Sequence, residues 1–241
     1  MILLLDVGNS RLKWGLFDHG RRVAQGAFAH EEARDFGRVL PPPGQLRGAF
    51  GVNVAGEPVM ARLADDLAPW SLNVEWLQPL AQACGVTTRY DLARLGADRW
   101  AAVLGAWHVH PAAALVVTAG TATTIDVLQG DGTFAGGLIV PGLALMKRAL
   151  AGNTAQLPFA EGVHADVPTR TVDAIHMGCL HAQAGAIERM FRHIAGAPGA
   201  VCLINGGAAP MIAPLLSIPC RLVDNLVLDG VAVAAAARGF R

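Results

Sequence analysis

Apolar and polar positions over residues 2–29 predict an antiparallel meander. Residues 2–5 form a continuous apolar strand, "RLKWGLF" alternates as a half-buried strand does, "DHGRR" holds turn residues, and "VAQGAFA" returns. Proline-rich "LPPPGQ" at 40–45 breaks the pattern, after which "GAFGVNVA" reads as a buried strand. Val59, Leu63 and Leu67 then fall at helical spacing within 57–68, and "VEWL" is a further short strand. "DRWAAVLGAW" from Asp98 to Trp107 predicts an apolar helix that starts directly after "LGA". Residues 114–118 and 123–128 are β-branched strands, and "GTFAGGLIVPG" continues their sheet. Helices are expected from Leu143 and over roughly 171–195, then a strand in "AVCLINGG" and a closing helix in "LDGVAVAAAARGF".

The pattern repeats. "LLLDVGNSRLKWGLFDHG" and "LVVTAGTATTIDVLQGDG" align without a gap, Gly8 on Gly120, Asn9 on Thr121, Leu16 on Leu128 and Gly20 on Gly132. Each copy is a strand, a small polar turn at glycine, a second strand and a second turn. A glycine directly after a strand lets backbone approach a ligand with no Cβ in the way. The N–H groups of Val7, Gly8, Asn9 and Ser10, and of Gly120, Thr121 and Ala122, can then face phosphate oxygens. Asn9, Ser10, Thr121, Thr123 and Thr124 add neutral donors. Asp6 only accepts, so beside phosphates it calls for a divalent cation. "INGGAAP" adds paired glycines, Gly206 and Gly207, between a strand and a helix, where bare backbone suits a nucleoside. Neither the P-loop pattern nor a Rossmann G-x-G-x-x-G after a strand is present.

Bulk properties narrow the classes further. The 241 residues are 53% hydrophobic and 16% charged, with 19 basic against 19 acidic, room for two lobes with real cores. That balance offers no polyelectrolyte surface, so nucleic acid is not an expected partner. "MILLLD" is too short for a secretory signal, and no stretch approaches the ~20 apolar residues of a membrane span. A cytoplasmic location without membrane contact is expected. Cys84, Cys179, Cys202 and Cys220 are scattered with no C-x-x-C pair and read as reduced, mostly core residues. His108 with His110, and His176 with Cys179 and His181, lack acidic partners at zinc-like spacing.

Together D-x-G-N-S, G-T-A-T-T and the late N-G-G-A resemble the actin, Hsp70 and sugar-kinase superfamily. The ordered set "DVGNSRLKWGLF", "LGADRW", "GTATTID", "GGLIVPG" and "INGGAAP", spanning almost the whole chain, is more closely similar to the type III pantothenate kinases. The resemblance implies an α/β fold of two ribonuclease-H-like, actin-like ATPase lobes with a nucleotide cleft between them. The expected lobes are 1–113, with the first phosphate motif and the catalytic aspartate, and 114–241, with the second phosphate motif, the adenosine motif and a dimer interface. It implies ATP-dependent phosphorylation of pantothenate, with magnesium, by a homodimer whose site borrows residues from the neighbouring copy.

By the same resemblance Asp98 is the general base, with a helix N-cap as its plain alternative, and Asp6 manages magnesium. Lys13 joins the ATP-binding residues. Gly96, Ala97, Arg99 and Tyr90 line the acceptor site, Thr171 reaches it from the other copy besides capping its helix, and Asn153 stands where some members have histidine. Thr118 replaces the aspartate on which a potassium or ammonium site would be built, which puts that cation in question. Three other readings keep the fold: a kinase of another small alcohol or sugar, a non-enzymatic accessory or regulatory protein, and an ATP-driven switch without an acceptor.

Overall fold

A computed structural model describes residues 1–30 and 33–240. The chain opens with β1 (Ile2–Val7), β2 (Arg11–Asp18) and β3 (Arg21–Ala29), then, after a 3-10 turn at Ala33–Val39, β4 (Ala49–Asn53), α1 (Glu57–Leu67) and β5 (Val74–Trp76). A short antiparallel hairpin of β6 (Gln82–Ala83) and β7 (Val86–Thr88) precedes α2 (Ala97–Val109). Next come β8 (Ala114–Ala119), β9 (Ala122–Leu128), β10 (Thr133–Pro141), α3 (Leu143–Asn153), α4 (Thr171–Phe191), β11 (Val201–Asn205), the single turn α5 (Ala209–Ile212), β12 (Cys220–Leu222) and α6 (Leu226–Ala237).

These elements form two compact units, one of Met1–Val109 with Asn225–Arg241 and one of His110–Asp224. In the first, the sheet order is β3-β2-β1-β4-β5, with β1–β2 and β2–β3 antiparallel and β1–β4 and β4–β5 parallel. The apolar run of β1 is buried on both faces. Leu3, Leu5 and Val7 join Leu12, Trp14, Leu16, Leu63 and Leu67 in one core, which is why Leu63 and Leu67 repeat at helical spacing in α1. His19 and Gly20 both take positive φ, the two-residue turn whose twist matches the strands it joins.

The boundary differs from the expected division at 113/114, because residues 225–241 belong with the first unit. The reason is a close approach of backbones. A Cβ on Gly230 of α6 would stand 2.6 Å from Ala101 C and 2.9 Å from Gly105 N in α2. Two glycines therefore let α6 lie directly on α2, burying Leu226, Val231, Ala234 and Ala235.

In the second unit the strands run β10-β9-β8-β11-β12, the same order and directions as in the first. Leu115, Val117, Ala119, Ile125 and Val127 pack on Ile175, Leu180, Ile187 and Phe191 of α4. That helix ends at Phe191, short of the expected 195.

The repeat is real but not gapless. Four residues separate the paired Val7 and Leu12, whereas three separate Ala119 and Thr123. The next turn compensates, with four residues between Phe17 and Arg22 and five between Leu128 and Phe134. Leu128 therefore corresponds to Phe17, not to Leu16, and Ala122 to Arg11. Burial agrees: from Arg11 and from Ala122 the strands run exposed, buried, intermediate, then four buried positions. Among the described residues no helix is long and apolar enough to cross a membrane.

Candidate active site

Asp6 is the next-to-last residue of β1 and faces Lys13 across the ladder, with Lys13 Nζ 3.3 Å from its Oδ2. Only 6% of Asp6 is exposed. Burial raises its carboxyl above the ordinary value; Lys13 opposes that, and the nearby charge of Asp98 adds to it. A buried carboxylate that one lysine does not fully compensate gains by meeting a divalent cation, so Asp6 fits magnesium, directly or through water. Among the described residues no three His, Cys, Asp or Glu side chains converge on one point.

The turn after Asp6 closes with Gly8 N–H donating to Arg11 O at 3.0 Å. Asn9 and Ser10 are exposed at its tip. Val7 is fully buried in the core, so only its backbone remains for a ligand, and its carbonyl accepts from Val54. The turn is held from behind by His30, whose Nε2 donates to Gly8 O at 2.7 Å. Arg62 in turn donates to the His30 carbonyl at 2.8 Å.

Asp98 sits in the first turn of α2 and is half-buried. It is not the N-cap: its Oδ1 accepts from the next residue's N–H, Arg99, at 2.8 Å. The carboxylate folds back over Gly96, where a Cβ would lie 2.6 Å from Asp98 Oδ1, so a side chain here would displace the carboxylate from this position. Ala97 opens the helix beside it. Arg99 is 4% exposed, and its Nη1 donates to the Tyr90 hydroxyl at 3.2 Å while its guanidinium lies 5.2 Å from the ring centroid. The sequence-predicted Asp6, Lys13, Asp98, Arg99 and Tyr90 all belong to the first unit.

In the second unit the turn closes with Gly120 N–H to Ala122 O at 3.0 Å, and Gly120, Thr121 and Ala122 are exposed. Inside the protein nothing forbids a side chain at Gly8 or Gly120: the nearest atoms to an added Cβ are Arg11 O at 3.4 Å and Ala122 O at 3.5 Å. Gly142 and Gly206 differ. An added Cβ on Gly142 would fall on Gly120 O and lie 2.5 Å from Thr121 O, and one on Gly206 would lie 2.7 Å from Ala119 C. Both residues press against the second turn. Gly206 has φ +100, and Gly207 faces open space.

Thr123 is a correction. Its side chain is fully buried on the α4 side, and its Oγ1 donates to Gln183 Oε1 at 2.7 Å, so its hydroxyl is not a phosphate donor. Strand alternation puts Thr124 on the other face, beside Thr118 in the ladder. Thr118 Oγ1 accepts from Asn205 Nδ2 at 3.0 Å, and the same nitrogen reaches Val117 O at 2.9 Å. Thr171 is exposed at the start of α4, but the cap position is Arg170 and carries no side-chain bond, so the capping role expected of Thr171 is absent. Asn153 is exposed and donates to Ala149 O at 2.8 Å, closing α3.

Sequence reasoning missed His30, Gly142, Gln183 and Asn205 as supports of the two turns. Two of them lay in motifs already singled out, Gly142 as the last glycine of "GGLIVPG" and Asn205 in "INGGAAP".

A sheet of order 3-2-1-4-5 occurring twice, each copy bearing a glycine turn after its first strand, defines the class of actin-like ATPases and sugar kinases. Solved structures of this fold include a Campylobacter jejuni protein assigned to the Baf family of transcriptional activators, 22% identical with TM-score 0.64 and 98% of each chain covered. A Sinorhizobium meliloti protein described as a 2-dehydro-3-deoxygalactonokinase is 16% identical, with TM-score 0.58 and 99% of each chain covered. Within that class the chain belongs to the type III pantothenate kinase family, whose model matches residues 2–193. A type III pantothenate kinase of Aromatoleum aromaticum is 54% identical over 236 residues, 98% of both chains.

Proposed function

We propose how this chain carries out its family's reaction, the ATP-dependent phosphorylation of pantothenate to 4'-phosphopantothenate that begins coenzyme A biosynthesis. The observation that carries the proposal is the placing of two carboxylates in one unit, Asp6 buried at the base of the first glycine turn and Asp98 half-buried in the first turn of α2. Asp98 Oδ1 is engaged by Arg99 N–H, which leaves Oδ2 to take the proton of the acceptor's primary hydroxyl as that oxygen attacks the γ-phosphorus. Arg99, a buried cation stacked on Tyr90, supplies a fixed guanidinium for the acceptor's carboxylate, with Gly96 and Ala97 giving backbone beside it.

Phosphoryl oxygens are taken by the backbone of Gly8, Asn9 and Ser10 in one turn and of Gly120, Thr121 and Ala122 in the other, with the hydroxyl of Thr124 beside it and Lys13 near Asp6. Gly206 and Gly207 give flat backbone for adenosine. Asp6 would hold a magnesium ion, which when bound would supply neutralising positive charge for the phosphate chain. Potassium or ammonium enters the proposal only as an ion held by neutral oxygens, since Thr118 carries no charge. Asn153 belongs to the acceptor side, and Thr171 reaches it from a second copy of the chain, in a cytoplasmic homodimer.

The test is direct. Purified chain incubated with ATP, magnesium and pantothenate yields 4'-phosphopantothenate by mass spectrometry. No product in potassium, ammonium and sodium salts alike, from folded protein, overturns the assignment.

A further inference from the structure

Cys202 in β11 and Cys220 in β12 are partners in the parallel ladder. Parallel partners present their side chains to the same face. Both do so toward α4: Cys202 lies within the apolar cluster containing Ile187, Phe191 and Ile212, and Cys220 packs against it. All four cysteines of the chain are free thiols, but only these two face each other. The proximity of the two thiols lowers Cys220 below and lifts Cys202 above the ordinary thiol value, burial adding to the second. Cys202 is wholly buried, whereas Cys220 is half-buried on the edge strand.

We propose that Cys202 and Cys220 form a reversible dithiol–disulfide couple, a peroxide-responsive modification site in the second unit. The more accessible partner reacts first: the Cys220 sulfur attacks one peroxide oxygen, giving a sulfenic acid and releasing water. The Cys202 sulfur then attacks that sulfenic sulfur, the S–S bond forms as S–O breaks, and the hydroxyl leaves as a second water with the Cys202 proton. Two thiols are thereby oxidised and one hydrogen peroxide is reduced to two waters.

Strand spacing sets the character of the bond. Neighbouring strands stand about 4.8 Å apart, within the Cα range of a disulfide but about 1 Å wider than its usual Cβ separation. Closure therefore pinches β12 toward β11. A three-residue edge strand can follow, and the resulting strained bond is one that cellular dithiols reopen. The pinch lies three residues before Asn205, which leads into the Gly206 turn against Ala119.

No arginine or lysine lies between residues 193 and 220, so trypsin delivers both cysteines in one peptide ending at Arg221. Full-length protein is treated with hydrogen peroxide, unfolded, alkylated and digested without reductant. The peptide is expected to escape alkylation and to be lighter by two hydrogens, with dithiothreitol restoring two alkylation sites. In Cys220→Ser the loop cannot form, and Cys202 alkylates after unfolding. Three results overturn the proposal: both cysteines alkylating at peroxide doses that oxidise Cys84, Cys220 advancing to sulfinic acid beside an intact Cys202, or either cysteine cross-linked to Cys84 or Cys179.

Discussion

Replacing Gly142 by alanine isolates the pressure of α3 on the second turn. Gly142 has φ −68, which any residue adopts, so the substitution introduces no backbone strain. Only space is at issue. The new Cβ would fall on Gly120 O and lie 2.5 Å from Thr121 O, about 0.9 Å inside the 3.4 Å at which ordinary contact begins. Both obstacles are backbone, so the turn itself has to move, and the 3.0 Å bond from Gly142 N–H to Thr121 O is lost with it. Overpacking of this kind costs about 1–3 kcal/mol and the hydrogen bond roughly 1 kcal/mol more. At about 2–4 °C per kcal/mol for a chain of this size, the melting temperature falls by roughly 5–15 °C.

Gly178 gives the matched control. It is exposed on α4 with nothing within 4 Å of an added Cβ, so Gly178→Ala stabilises by about 0.5–1 kcal/mol through helix propensity alone. The assays are thermal unfolding by circular dichroism and steady-state turnover measured well below both transitions. A turn displaced by about 1 Å should lower kcat/KM for ATP roughly a hundredfold in Gly142→Ala, while Gly178→Ala turns over normally. Wild-type melting in Gly142→Ala refutes the steric reasoning. A lowered melt with unchanged kcat/KM refutes the role of this turn in nucleotide binding.

Asp98→Asn keeps an oxygen for Arg99 N–H, so melting stays near wild type while kcat drops about 10²- to 10⁴-fold, with affinity for a non-hydrolysable ATP analogue retained in calorimetry. Arg99→Lys gives up the Tyr90 hydroxyl and the ring face, and the KM for pantothenate should rise roughly tenfold in steady-state assays. Asp6→Asn should lower turnover by roughly 10²- to 10⁴-fold yet raise the melting temperature measured without magnesium. Because burial raises the Asp6 carboxyl from 3.8, the folded chain holds this proton longer than the unfolded one. Its contribution to stability therefore falls as pH climbs from 3.8 through the raised value, and the excess of the variant over wild type should grow across that window and then level off. A variant no more stable than wild type at neutral pH contradicts the buried, undercompensated carboxylate.

Much of the fold was legible because period and burial agree: β1 to β3, α2, α3 and both glycine turns follow from alternation, apolar runs and turn residues. The compensating shift inside the repeat was invisible because one turn shortens and the next lengthens, so a gapless alignment matches at both ends. The β6–β7 hairpin escaped notice because Cys84 takes φ +50 before Gly85, without the Asn-Gly or Asp-Gly pair that announces such turns. Thr123 was read as part of a run of hydroxyls, although strand alternation sends it inward. The supports of the turns could not be read locally, since His30 acts on a residue 22 positions away, Gln183 on one 60 away and Asn205 on one 87 away.

The seating of α6 on α2 makes the second unit an insertion within the first. On the ribosome, residues 110–224 emerge as one uninterrupted stretch and can acquire their core while the earlier segment still lacks a helix that caps it. Synthesis order and folding order are thus reversed for the two halves. A chain halted after Asp224 should carry a native second half joined to an amino-terminal half that proteases digest.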